Sequence, residues 1–271
     1  MDLDAYLARV GFDEAPHPDV RTLAALQLGH VVHIPFENLS PLLGEEVPLG
    51  VDALIEKMVH RRRGGWCFEH NGLFSHALRE IGFDVTTLAA RVRWNVPVDR
   101  VTSRSHMLML VEARGERYLA DVGFGGLTLT SPLRFEPGLE QMTPHEPHRI
   151  VAMEGERYGL EAFLHGEWKL LYIFDLVPAV QADYDVSNWY LGHHPQSQFV
   201  TGLMAARADH DRRHALRNRN YSIHHRHGDT EKRVVQDVAE MKRILSSDLK
   251  IPLPDAATLD PVLERVFAAN P

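Results

Sequence analysis

Arg63-Gly64-Gly65-Trp66-Cys67-Phe68-Glu69-His70-Asn71, RGGWCFEHN, holds the only cysteine in 271 residues. The glycine pair breaks the chain. Behind it Phe74, Ala77, Leu78 and Ile81 recur at i, i+3, i+4 and i+7, the spacing of one helical face. Gly82 stands where a helix-ending glycine belongs. The spacing therefore predicts a helix that starts at or near Cys67. Unpaired N–H groups and the macrodipole at a helix start favour a thiolate, and the thiolate is the form that attacks. The competing reading is a small buried hydrophobe, the commoner fate of a lone cysteine.

Working outward, residues 1–84 read mainly as helices, with Val20–Leu28 and Val51–Val59 apolar at helical spacing. From about residue 85 the pattern turns to short apolar runs: Val85–Trp94, Met107–Val111, Tyr118–Val122, Arg149–Met153, Tyr158–Leu164 and Trp168–Phe174. Turn residues separate them, as in an antiparallel barrel or sandwich. From about residue 188 the chain is mixed and more polar. Thr230–Leu245 reads as helical, and Leu259–Ala269 as a closing helix.

Hydrophobic residues make up 44% and charged residues 24%, an ordinary balance for a globular chain. The net charge of −8 gives no general attraction to nucleic acid or anionic membrane. One thiol forms no internal disulfide, which fits a reducing compartment. The acidic start, MDLDAYLARVGFDEA, is no signal peptide. No apolar run approaches the roughly 18 residues of a membrane span. The expectation is a cytoplasmic protein.

A thiol nucleophile needs a base, and the base an orienting acid. Two strand-like runs flank Arg114-Gly115, a hairpin signal. A two-residue turn there sets Ala113 opposite Glu116 and His106 opposite Gly123. Asp121 then lies diagonal to His106 on the same face, about 7–8 Å away at Cα and within side-chain reach. A carboxylate on one imidazole nitrogen fixes the tautomer and steadies the imidazolium. Gly123-Phe124-Gly125-Gly126 follows. It fails the dinucleotide pattern, but such a turn can bring backbone N–H groups to a phosphate.

Four segments together resemble the arylamine N-acetyltransferases. Ile34-Pro35-Phe36-Glu37-Asn38-Leu39 is similar to the family's P-F-E-N segment, and RGGWCFEHN to its nucleophile motif. Ser105-His106 and Asp121-Val122-Gly123-Phe124-Gly125 match its histidine and aspartate segments, and His194–Phe199 its H-P-x-S-x-F segment. The order Cys, His, Asp is the family's order. The likeness covers about residues 1–205.

The resemblance implies an α+β fold in three parts: a helical bundle over 1–84 carrying the nucleophile, an antiparallel β-barrel over 85–187 carrying His and Asp, and an α/β lid over 188–271. The core would be like that of transglutaminases and papain-like cysteine proteases. It implies acetyl-CoA as acyl donor and an arylamine or arylhydrazine as acceptor, joined by a ping-pong reaction through acetyl-Cys67, with His106 as base and Asp121 orienting it. Phe36 and Phe124 would line the acceptor pocket. Gly125, Gly126, Trp94 and Phe199 would border CoA.

Three intact triad residues alone also suit a cysteine hydrolase or a transglutaminase-like amidase; the PFEN, GFGG and HPQSQF segments favour transfer. Arg61-Arg62-Arg63 reads first as a solvated or ion-paired face. Glu69 and Asn71 read as structural support for the helix start. Seventeen histidines raise the question of metal, but His193-His194 and His224-His225-Arg226-His227 lack the neighbouring Cys or carboxylate set of a defined site, and no metal is expected.

Overall fold

The computed structural model describes residues 1–97, 99–226 and 228–269, so His227 lies outside the described residues. Helix α1 (Leu3–Val10) starts at Asp2, whose carboxylate accepts from the Ala5 N–H, and α2 (Val20–His33) starts at Asp19 in the same way. Strand β1 (Phe36–Glu37) and helices α3 (Leu39–Leu42) and α4 (Val51–Leu54) follow, and α4 runs into a π-helical turn at Ile55–His60. Helix α5 spans Cys67–Ile81 and stops at Gly82 with φ 103°, a left-handed conformation that glycine adopts freely. Its stripe, Leu73, Phe74, Ala77 and Leu78, is fully buried among α1, α2 and the strands behind them. Each large apolar side chain so buried contributes roughly 1.5–3 kcal/mol.

The middle of the chain is all strand: β2 (Asp84–Val92), β3 (Arg104–Ala113), β4 (Glu116–Ala120), β5 (Leu133–Arg134), β6 (Glu140–Gln141), β7 (His148–Met153), β8 (Arg157–Leu164) and β9 (Glu167–Pro178). They form one antiparallel sheet in the order β5-β4-β3-β2-β9-β8-β7-β6. It curls into a nearly closed barrel, and the Gln141 amide on β6 bonds the Arg134 backbone on β5 at 2.8 and 3.0 Å. Leu88, Leu108, Leu119, Ile150, Leu160 and Tyr172 fill its interior. The hairpin register is as the sequence predicts, with Ala113 opposite Glu116. Arg114 and Gly115 have φ 52° and 83°, the two positive values of a type I′ turn. The ladder ends at Met109 and Ala120, so Asp121 reaches His106 from the loop beyond β4.

The last third carries α6 (Gln181–His193), α7 (Gln198–Thr201), β10 (Met204–Ala208), β11 (Arg212–Arg217), β12 (Asn220–His225), β13 (Thr230–Val234), α8 (Val238–Arg243), a π-helical turn at Ile244–Asp248, and α9 (Ala256–Ala269). Its sheet runs β1-β10-β11-β12-β13. Phe36 and Glu37 thus extend a sheet whose other strands come from the end of the chain. Thr230–Val234 is a strand, not the start of a helix. Its backbone pairs with Asn220–His224 along β12, and such distant pairing overrides the weak preferences of a polar, mostly exposed run. Among the described residues no helix is long and apolar enough to cross a membrane.

Candidate active site

Cys67 opens helix α5 and is buried at 5% exposure. Glu69 builds this helix start: its Oε2 accepts the Trp66 N–H at 3.0 Å, and its Oε1 accepts Lys57 Nζ at 2.7 Å. The glycines ahead of it are steric necessities. A Cβ on Gly64 would lie 1.9 Å from the Pro35 carbonyl, and one on Gly65 would lie 2.5 Å from Glu69 Oε2. Arg63 is not on a solvated face. It donates through Nε to buried Glu37 at 2.8 Å, whereas Arg61 pairs with Glu56 in the open.

His106, on β3, is buried, and its Nε2–H donates to Asp121 Oδ2 at 2.7 Å. Burial alone would lower its pKa. The Asp121 charge and hydrogen bond, with a smaller contribution from the nearby Cys67 side chain, outweigh that and raise it to about 10. The structure thus brings residues 67, 106 and 121 together. The Cys67 thiol also points at the Ser105 carbonyl, 3.6 Å from Sγ. Burial would raise the Asp121 pKa, but His106, Asn71 and the Gly123 N–H hold it below the usual carboxylate range.

Asn71 does more than support the helix. Its Nδ2 donates to Asp121 Oδ1 at 2.9 Å and to the Met107 carbonyl at 2.6 Å, and its Oδ1 accepts the Val122 N–H at 2.9 Å. One side chain, four residues after Cys67, therefore ties helix α5 to Asp121 and to Met107, the neighbour of His106 on β3. The spacing i, i+4 puts Asn71 on the Cys67 face of the helix, a signal the sequence did carry. Gly123 packs against the same place: a Cβ there would lie 2.8 Å from Cys67 Cα and from Asn71 Nδ2.

Sequence reasoning missed Tyr172 altogether. Its ring centroid lies 5.0 Å from His106 and 5.3 Å from Phe124. The buried hydroxyl faces Asp121 without a well-formed hydrogen bond. Burial, then the Asp121 charge, push its pKa well above the usual phenol value, so it stays protonated. Nothing in the local sequence marks it.

The aromatic candidates divide into two groups. Phe124 packs edge-on to His106, with centroids 5.2 Å apart. Phe36 and Phe199 pack against the cluster around Cys67, and Phe199 meets the Trp66 ring edge-on at 5.1 Å. Trp94 packs instead on the barrel core. A Cβ on Gly125 would lie 3.6 Å from the Phe36 ring, and one on Gly126 would lie 3.7 Å from Ala215 on β11. The glycine turn thus runs between the Phe36 wall and the last sheet. Asn38 explains the end of the PFEN segment: it donates to the Phe199 and Gly202 carbonyls at 2.8 and 2.7 Å and accepts the Met204 N–H at 2.7 Å. Among the described residues no group of three or more His, Cys, Asp or Glu could hold a metal ion.

The profile of the N-acetyltransferase family matches residues 19–258. The arylamine N-acetyltransferase of Mycolicibacterium smegmatis is 45% identical over 264 residues, 96% of this chain and 95% of that protein. The arylamine N-acetyltransferase of Escherichia coli is 39% identical, over 94% and 90% of the two chains. The solved structure of Mycobacterium marinum arylamine N-acetyltransferase in complex with CoA superposes with a TM-score of 0.90 at 40% identity, covering 98% of this chain and 97% of that one.

Proposed function

Because the chain belongs to the arylamine N-acetyltransferase family, we propose that Cys67, His106 and Asp121 transfer an acetyl group from acetyl-CoA to an arylamine or arylhydrazine in two half-reactions. The observation that carries this is the buried hydrogen bond of 2.7 Å between His106 and Asp121, with Asn71, on the helix that Cys67 opens, reaching Asp121 at 2.9 Å. An imidazolium held beside Cys67 is the counter-ion a thiolate needs. The thiolate attacks the thioester carbonyl of acetyl-CoA. The carbon–sulfur bond to CoA breaks, His106 protonates the departing CoA thiolate, and Cys67 keeps the acetyl group as a thioester. In the second half the amine nitrogen attacks that thioester. His106 takes the amine proton, the amide leaves, and the Cys67 thiolate returns. Asp121 holds Nε2 throughout, so the other ring nitrogen does the proton work.

Phe36 and Phe124 form the apolar walls a flat aromatic acceptor requires. Gly125 and Gly126 leave room for CoA beside their turn, with Phe199 along the CoA arm. The M. marinum relative in complex with CoA supports CoA as the donor's carrier. The single thiol supports a cytoplasmic setting.

Initial rates test the reading. Double-reciprocal plots against acetyl-CoA at several fixed arylamine concentrations are expected to be parallel, the pattern of an acyl-enzyme released from CoA before the amine binds. Converging lines would exclude two separate half-reactions. Acetate release from acetyl-CoA that ignores added amine would identify a hydrolase working with the same three residues.

A further inference from the structure

Helix α5 carries a second histidine one turn past the nucleophile, and the reaction above does not use it. His70 is 1% exposed, and His30 on α2 and Tyr6 on α1 are fully buried behind it. They form a chain: Tyr6 Oη to His30 Nδ1 at 3.0 Å, His30 Nε2 to His70 Nδ1 at 2.9 Å, and His70 Nε2 to the Pro35 carbonyl at 3.1 Å. The carbonyl only accepts, so His70 Nε2 carries a hydrogen. Burial lowers the His70 pKa to about 4 and that of His30 well below its usual value. Both rings are therefore neutral at pH 7. His70 Nδ1 must then accept from His30 Nε2–H, and His30 Nδ1 must accept from the Tyr6 hydroxyl. Every hydrogen in the chain runs one way, toward Pro35.

Pro35 precedes Phe36, and the Phe36 ring lies nearly parallel to His70, 11° between planes and 6.1 Å between centroids. Gly125 also comes close, since a Cβ there would lie 3.6 Å from the Phe36 ring. The cavity shared by Phe36, His70 and Gly125 is about 10 Å³, room for a single water. Phe36 is thus held from behind by His70, through its backbone neighbour and through its ring, with little slack.

We propose that His70 is a positioning residue for acceptor selection, setting where Phe36 stands as a wall for the aromatic amine while touching none of the reacting atoms. This rests on the acetyl-transfer reading and on Phe36 as part of the acceptor pocket. Because Phe36 acts in the second half-reaction, loss of His70 raises the acceptor KM and leaves the loading of Cys67 from acetyl-CoA unchanged.

The test compares His70→Leu, which leaves the Pro35 carbonyl and His30 Nε2 unpaired, with His70→Gln, which keeps one donor and one acceptor. His70→Leu is expected to raise KM for a bicyclic arylamine about tenfold. Single-turnover CoA release should stay within about twofold of wild type, and His70→Gln should recover most of the lost acceptor affinity. Should His70→Leu not fold, His70→Asn, too short to span from His30 to Pro35, takes its place with the same expectations. An unchanged acceptor KM, an equal loss in CoA release, or no rescue by Gln would overturn the proposal. Wild-type protein that releases no CoA from acetyl-CoA would instead overturn the acetyl-transfer reading.

Discussion

His70 and His106 are both buried within the same part of the molecule, and their surroundings push them in opposite directions. His106 meets a carboxylate at 2.7 Å and rises to about 10. His70 meets a carbonyl and another neutral imidazole and falls to about 4. Burial disfavours the charged ring in both cases; the partner decides the outcome. One histidine is therefore held as a cation, and the other stays neutral. A buried histidine is a chemical group only when an anion makes its cation affordable.

The comparison breaks most visibly if the anion is removed. Asp121→Asn keeps the shape but leaves His106 without the charge that fixes its tautomer. A fall of about 10,000-fold in kcat is expected from the same change in other triads. Near-wild-type activity with a native circular dichroism spectrum would remove Asp121 from the mechanism.

Stability against pH separates the two histidines. His106 lies above its free value of about 6.5, so its contribution is full below pH 6.5 and is lost as pH rises through about 10. Asp121 lies below its free value, so its contribution is full above about pH 4 and is lost on further acidification. His70 is a base held neutral. The unfolded chain takes its proton first, so stability falls as pH drops from about 6.5 toward about 4. His30 from α2, Glu37 from β1 and Lys57 from the turn after α4 face this ring. Urea unfolding at pH 7 and pH 5 should show wild type losing on the order of 1–2 kcal/mol more than His70→Gln. Equal losses would mean that His70 is not held neutral.

Smaller effects sharpen the picture. Gly123→Ala forces a Cβ against Cys67 Cα and should cost about 1–3 kcal/mol by overpacking, with slower loading of Cys67; an unchanged melting temperature would show that the loop yields. Tyr172→Phe removes a hydroxyl that lacks a well-formed bond, and kcat should fall less than about tenfold. A larger loss would make Tyr172 part of the charge balance at Asp121. Arg61→Ala should change stability by less than about 0.5 kcal/mol, since its pair with Glu56 is exposed. A raised acetyl-CoA KM would reveal a phosphate contact.

What the sequence disclosed followed from range. The hairpin register was legible because Arg114-Gly115 is a local turn whose residues fix the pairing on either side. The start of α5 was legible from its glycine pair and apolar stripe. His106 and Asp121 could be placed together on that local ground. The approach of Cys67 was not legible, because it depends on α5 packing across β3 and on Asn71 bridging both. Thr230–Val234 misled because an edge strand held by backbone pairing shows no apolar alternation. His70 read as part of a motif; its role depends on His30 and Tyr6, whose neighbourhood only the packed helices create.

An acetyl group resting on Cys67 is open to direct detection. Intact-mass measurement after mixing with acetyl-CoA alone is expected to show one acetyl adduct, mapped by peptide mass to Cys67. Adding an arylamine should discharge it as acetylated amine. No adduct, an adduct that persists with the amine present, or continued turnover by Cys67→Ala would contradict the account.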